Sequence, residues 1–104
     1  MKNGETIEKS PRDVLDYTFR WKSWLDKEGD SIASSAFTVD GGITVDSDAS
    51  TLDTATAFIS GGQDGCTYKV TNKIVTDNST ARTKEGYIFI KVVDPDVNKQ
   101  KAYS

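Results

Sequence analysis

The chain has 104 residues, 36% hydrophobic and 28% charged, with a formal net charge of −3 and an isoelectric point near 4.8. That length suits one domain with one core and leaves little room for a deep pocket as well. The acidic balance argues against the concentrated basic surface that a phosphate backbone demands, and no run of 18 apolar residues is present to span a membrane.

The first residues, Met1 to Lys9, are polar and read as an N-terminal arm. They lack the apolar stretch of a signal peptide, so the sequence predicts a protein made in the cytoplasm. From Leu15 the apolar residues alternate: Leu15, Tyr17, Phe19 and Trp21 share one face, and Asp16, Thr18, Arg20 and Lys22 the other. Period two over this length predicts a half-buried strand with Phe19 and Trp21 in the core. The phase slips at Ser23-Trp24-Leu25, where a bulge or the strand end is expected. Trp24, after the slip, either completes the core or serves as the interface residue, because tryptophan is enriched at binding hot spots.

Asp26 to Asp30 form a polar turn, and the next strand carries Ala33, Phe37 and Val39 in phase. Asp40-Gly41-Gly42 marks a turn, since glycine accepts positive φ. Ile43 and Val45 form a short strand, Asp46 to Asp53 a polar loop, and Thr54 to Ser60 a further strand. Gly61 to Gly65 is a loop. Beyond it Cys66, Tyr68, Val70 and Ile74 alternate with Thr67, Lys69, Thr71 and Lys73; Asn72 is the one polar residue in the apolar phase. A hairpin turn is expected at Asp77-Asn78-Ser79. The last strand runs from about Thr83 to Val93, apolar on both faces and therefore central or covered on both sides. Pro95 ends it, and residues 95–104 form a polar tail.

These elements predict an all-β fold, an immunoglobulin-like β-sandwich of about seven strands occupying residues 10–94. Tyr68, entering a late strand after a glycine-rich corner, has the position of a tyrosine corner, with Val70 following it into the core.

The chemical inventory points away from catalysis. Histidine is absent, which removes the commonest general base and metal ligand. Cys66 is single, forms no internal disulfide, and suits a buried structural thiol better than a nucleophile. Asp46, Asp48, Asp53, Asp94 and Asp96 do not follow an EF-hand spacing, and aspartate is common in turns. The glycines at 61, 62 and 65 precede a strand, not the helix of a phosphate loop. No catalytic residue, metal ligand or cofactor is expected. Lys2, Lys9, Lys99 and Lys101 lie near the termini, where charges are usually solvated.

Asp13-Val14-Leu15-Asp16-Tyr17, Trp21, Trp24-Leu25, Ile32 to Phe37, Gly42-Ile43-Thr44-Val45, Ser60-Gly61-Gly62 and Tyr68 to Ile74 together resemble a family of small tailed-phage virion proteins, the fiber-tail adaptors. The resemblance spans about residues 10–93. It implies an Ig-like sandwich and a structural subunit of the virion, associated with the tail. Such a subunit attaches fibers or other parts through protein–protein contacts, in a symmetric multi-copy assembly of tail, neck or fiber components. It implies no catalytic residues, and the charge and the lack of a long apolar run predict no nucleic-acid and no membrane partner. The competing reading is an Ig-like recognition or decoration module that binds carbohydrate or a host surface. That reading calls for exposed aromatics on one face, whereas most aromatics here fall within strand patterns.

Overall fold

A computed structural model describes residues 3–27 and 29–94. The chain forms β1 (Thr6–Lys9), β2 (Leu15–Arg20), a short α1 (Lys22–Asp26), β3 (Ile32–Val39), β4 (Ile43–Ser50), β5 (Thr54–Gly61), β6 (Thr67–Thr76) and β7 (Thr83–Val92). Two sheets pack face to face, a four-stranded sheet in the order β1-β7-β6-β3 and a three-stranded sheet in the order β2-β5-β4. Every pairing is antiparallel except β1 with β7. Lettered A to G in chain order, the sheets read A-G-F-C and B-E-D. This is the immunoglobulin arrangement with the first strand moved onto the sheet of the last. The expected all-β sandwich is therefore present, built from seven strands among the described residues.

The alternation read from the sequence is what fills the space between the sheets. Tyr17 and Phe19 from β2, Ala55, Ala57 and Ile59 from β5, Tyr68, Val70 and Ile74 from β6, and Ile88, Ile90 and Val92 from β7 are all buried. Phe19 meets Phe37 of β3 edge to face, with ring centroids 5.9 Å apart, joining the two sheets. Trp21 is buried too, but at one end of the sandwich rather than its centre. Gly86 on β7 leaves the indole room: a Cβ there would lie 3.1 Å from it, tighter than ordinary contact.

Several expectations need correction. Residues 1–9 were expected as an arm, yet Thr6–Lys9 is an edge strand, tied to β7 through Phe89 N–H to Glu5 O (2.8 Å) and Val93 N–H to Lys9 O (2.8 Å). A four-residue edge strand held by its main chain leaves almost no side-chain signature. The phase slip at Ser23-Trp24-Leu25 is the strand end, one of the two forms expected, but the short α1 that follows was not expected; its change of period from 2 to 3.6 turns Leu25 into the core. The register shift between Ile32 and Ser34 turns Ala33 outward, so Ser35, Phe37 and Val39 hold the inner phase. The loop predicted at Asp46 to Asp53 is mostly strand: β4 continues to Ser50, with a register shift after Val45, and only Thr51 to Asp53 turn. β4 is an edge strand and needs few apolar residues. β7 is central, as expected, but its outer face is half-buried rather than covered: Tyr87 and Phe89 lie edge to face there, 5.6 Å apart. The tail at 95–104, Lys2 and Glu28 lie outside the described residues.

Candidate functional site

The sandwich has two ends of different character. At one, the β5–β6 corner is locked by Tyr68, whose hydroxyl accepts the Gln63 N–H at 3.0 Å. This is a tyrosine corner in geometry as well as sequence. Gly42 (φ +114°) lets the β3–β4 turn pass over the ring, where a Cβ would sit 2.6 Å from it. The half-buried Cys66 thiol packs beside this core and is unpaired. Lys9, at the end of β1, is buried and reaches across the sheets to donate to Gly61 O at 2.6 Å and Ser10 O at 2.8 Å. Burial pushes its ammonium below the ordinary lysine range, partly offset by the charges of Asp13 and Asp46. The tyrosine, the lysine and the glycines at this end are turned inward, toward holding the corner, while Val14 in the turn before β2 is exposed.

The opposite end is built from α1, the Thr51 to Asp53 turn and the β6–β7 connection at 77–82. Its base is a buried polar hub. Asn72 of β6 is fully buried; its Oδ1 accepts the Trp21 indole N–H at 2.8 Å, and its Nδ2 donates to Ser35 Oγ (2.9 Å) and Ala36 O (3.2 Å). The polar residue in the apolar phase is thus the partner of the buried tryptophan, and its amide is satisfied at both ends.

Trp24 rests on this hub. Its ring and that of Trp21 meet edge to face, with centroids 6.0 Å apart, and the Arg82 guanidinium lies over the Trp24 ring, 4.2 Å from its centroid. Arg82 in turn pairs with Asp30 at 3.3 Å. Burial alone would push the Asp30 carboxyl up. Hydrogen bonds from Ser31 N–H, Thr76 and Arg82, with the guanidinium charge, outweigh it and hold the carboxyl below the ordinary aspartate range. Arg82 also closes the β6–β7 connection through its main chain: its N–H donates to Thr76 Oγ1 at 2.8 Å, and its carbonyl accepts Thr76 N–H at 2.8 Å. Trp24 is therefore half-buried, with one edge packed and the remainder open to a shallow cleft of about 300 Å³. Phe19, Trp21, Arg20, Lys84 and Gly86 line this cleft as well. Leu52, at the tip of the neighbouring turn, is 71% exposed although its carbonyl accepts Ile32 N–H at 2.8 Å. An exposed apolar tip at the same end as a half-open tryptophan and an arginine has the composition of a protein-contact surface.

Of the residues picked out by sequence, Phe19, Trp21, Tyr68 and Val70 all lie in the buried core, and Trp24 lies at its margin. Trp21 and Trp24 are brought together; Tyr68 lies at the far end. Among the described residues no three acidic or cysteine side chains come close enough to hold a metal ion. Sequence reasoning missed Arg82, Asp30 and Leu52. Arg82 and Leu52 carry no pattern in the sequence, and Asp30 looks like any turn aspartate until the fold brings it against Arg82.

Against known proteins, the family of the podophage GP4 fiber-tail adaptor protein gp77 matches residues 9–91. The chain belongs to this family. The match begins on the last residue of β1 and ends within β7, so the family domain is nearly the whole sandwich. No curated protein matches the chain. Membership makes the protein a tail-associated structural adaptor with a place in the phage virion, and so with other virion proteins as its neighbours.

Proposed function

We propose that the sandwich end bearing α1, Leu52 and the 77–82 connection grips another virion protein, and that the adaptor joins fibers or other tail parts by contact alone, without catalysis. The observation that carries this reading is the exposed Leu52, its main chain tied to Ile32, at the same end of the sandwich as the half-open Trp24–Arg82 pair, on a chain that belongs to a fiber-tail adaptor family. A loop tip that exposes a large apolar side chain without backbone freedom is already arranged for binding, so little ordering entropy is lost on contact. At the opposite end Val14 is exposed too, at 54% against 71% for Leu52, but both tryptophans lie at the α1 end. A sugar-reading surface would need several exposed aromatics, and Phe58 is the one strongly exposed aromatic among the described residues. The adaptor is made in the host cytoplasm and assembles there in multiple symmetric copies. The tail at 95–104 contributes to the grip as a polar arm.

The test is complementation of particles that lack the chain. Leu52→Asp and Trp24→Ala variants, each confirmed folded by circular dichroism, are supplied alongside the parent. The reading predicts that Leu52→Asp particles lose the adaptor or the part it attaches. Full occupancy and full attachment by Leu52→Asp would reject this end as the grip. A second complementation uses a chain cut after Asp94, because removal of residues 1–9 would take β1 with it.

A further inference from the structure

The first strand's place beside β7 leaves the outer edge of β2 without a partner, since β2 pairs on one side only, with β5. Among the described residues this is the least defended edge of the sandwich. β3 and β4 each carry a register shift, and β4 also carries Asp46 and Asp48. β1 has only four residues. Bulges, charges and shortness are the usual means by which edges avoid pairing. β2 is regular through all six residues and contains no proline, and its two exposed charges, Asp16 and Arg20, are of opposite sign, so they do not repel an antiparallel copy. Along it runs a groove lined by Ile7, Leu15, Tyr17 and Arg20. Leu15 is 39% and its neighbour Val14 is 54% exposed. The buried Tyr17 hydroxyl has no hydrogen-bond partner.

The sequence of this edge is complementary to itself. Its outward face reads Asp16, Thr18, Arg20. Neither Asp16 nor Arg20 makes an ion pair or side-chain hydrogen bond among the described residues. We propose that β2 pairs antiparallel with β2 of a second copy, about a two-fold axis through Thr18, forming a continuous six-stranded sheet across the dimer. That register sets Asp16 opposite Arg20 of the partner subunit, and Arg20 opposite the partner's Asp16. Opposite charges directly across an antiparallel pair are favourable, and a two-fold axis delivers the pair twice. An odd shift of register would turn one copy's inner face outward and is excluded by the buried Tyr17 and Phe19. Other even registers lose the reciprocal charge pairs. The ladder covers the groove and satisfies the open main-chain groups of both edges. This pairing is read out on the isolated chain, without other virion proteins; Arg20, which also lines the cleft at the α1 end, is the one lining residue the two surfaces share.

Cysteine cross-linking on a Cys66→Ser background tests it. Thr18→Cys places the two thiols across the axis, at a Cβ separation of about 4.5–5.5 Å, close to what a disulfide accepts. Asp16→Cys places them on the order of 13 Å apart along the strands. Thr18→Cys is expected to oxidise to a covalent dimer at least about ten times faster than Asp16→Cys, and Arg20→Asp added to Thr18→Cys is expected to remove about that factor. Adding Asp16→Arg to that double variant restores the charge pairs with their signs reversed, and should restore the rate. In parallel, sedimentation of the unmodified chain should show a dimer that salt weakens, that Arg20→Asp abolishes, and that Asp16→Arg with Arg20→Asp recovers. Equal oxidation rates for Thr18→Cys and Asp16→Cys overturn the pairing. So does a dimer indifferent to charge reversal, or a chain monomeric at all concentrations.

Discussion

Replacing Asn72 with alanine tests whether the Trp21–Asn72 hub holds the α1 end together. The substitution removes the acceptor of the buried indole N–H and the donor to Ser35 Oγ and Ala36 O. A buried donor left unsatisfied costs about 1–3 kcal/mol, and the truncated side chain leaves a small void as well. We expect a loss of about 3 kcal/mol in urea unfolding, or a fall in Tm of roughly 12–20 °C for a domain of this size. The decisive measurement is a double-mutant cycle with Trp21→Phe. If the two groups act through one hydrogen bond, the paired variant should be less destabilised than the sum, with a coupling of about 1–2 kcal/mol. Asn72→Asp adds a pH signature. Its carboxyl faces the Ala36 carbonyl and is best neutral, so its folded pKa should rise above the unfolded value of about 3.9. The folded state then holds the proton more tightly, and the variant's stability should fall as pH rises from the unfolded pKa to the folded one. Additive effects of Asn72→Ala and Trp21→Phe, or a cost below about 1 kcal/mol for Asn72→Ala, would refute the hub.

Other outcomes follow from the same geometry. Burial, helped by the charges of Asp13 and Asp16, pushes the Tyr17 phenol up to about 12, above the ordinary tyrosine range. The folded state keeps the proton longer, so Tyr17 should cost the fold up to about 3 kcal/mol as pH climbs from about 10 to 12. A Tyr17→Phe variant should escape this loss in urea melts and be no less stable than the parent at pH 7, because the hydroxyl has no partner. Asp30 carries the opposite sign. Its lowered pKa contributes stability that is present above the unfolded aspartate pKa and lost as pH falls through the folded value; Asp30→Asn should flatten that acid limb in thermal melts. Gly42→Ala should destabilise by about 1–3 kcal/mol, since a Cβ there meets the Tyr68 ring at 2.6 Å with the backbone at positive φ. Tyr68→Phe should cost about 1 kcal/mol through the lost Gln63 N–H bond, measured by chemical denaturation.

The residues that the sequence placed well are those whose partners are set by alternation alone. Leu15 to Arg20, Thr67 to Thr76 and Thr83 to Val92 each repeat with period two, and a strand that buries one face must show that repeat whatever it packs against. The tyrosine corner was legible for a related reason: Gly65, Tyr68 and Gln63 lie within six residues, so the motif is local. Strands that pair through the main chain at an edge were not. Thr6–Lys9 and the second half of β4 expose most of their side chains, and polar residues there look the same as loop. α1 escaped notice because five residues are too few for a helical period to emerge.

The sequence by itself settled the class of the fold, the two-layer core and the absence of histidine chemistry, because composition and local periodicity are properties of the chain before it folds. Only the tertiary structure could decide three further things. Asn72 answers Trp21 from 51 residues away. Asp30 and Arg82 bracket the Trp24 face. The first strand joins β7, leaving β2 with an open edge whose charges read the same in both directions. Each depends on which distant segments the sandwich brings together, and long-range pairing is settled by the sum of all burial and hydrogen bonding in the fold rather than by any one segment's pattern.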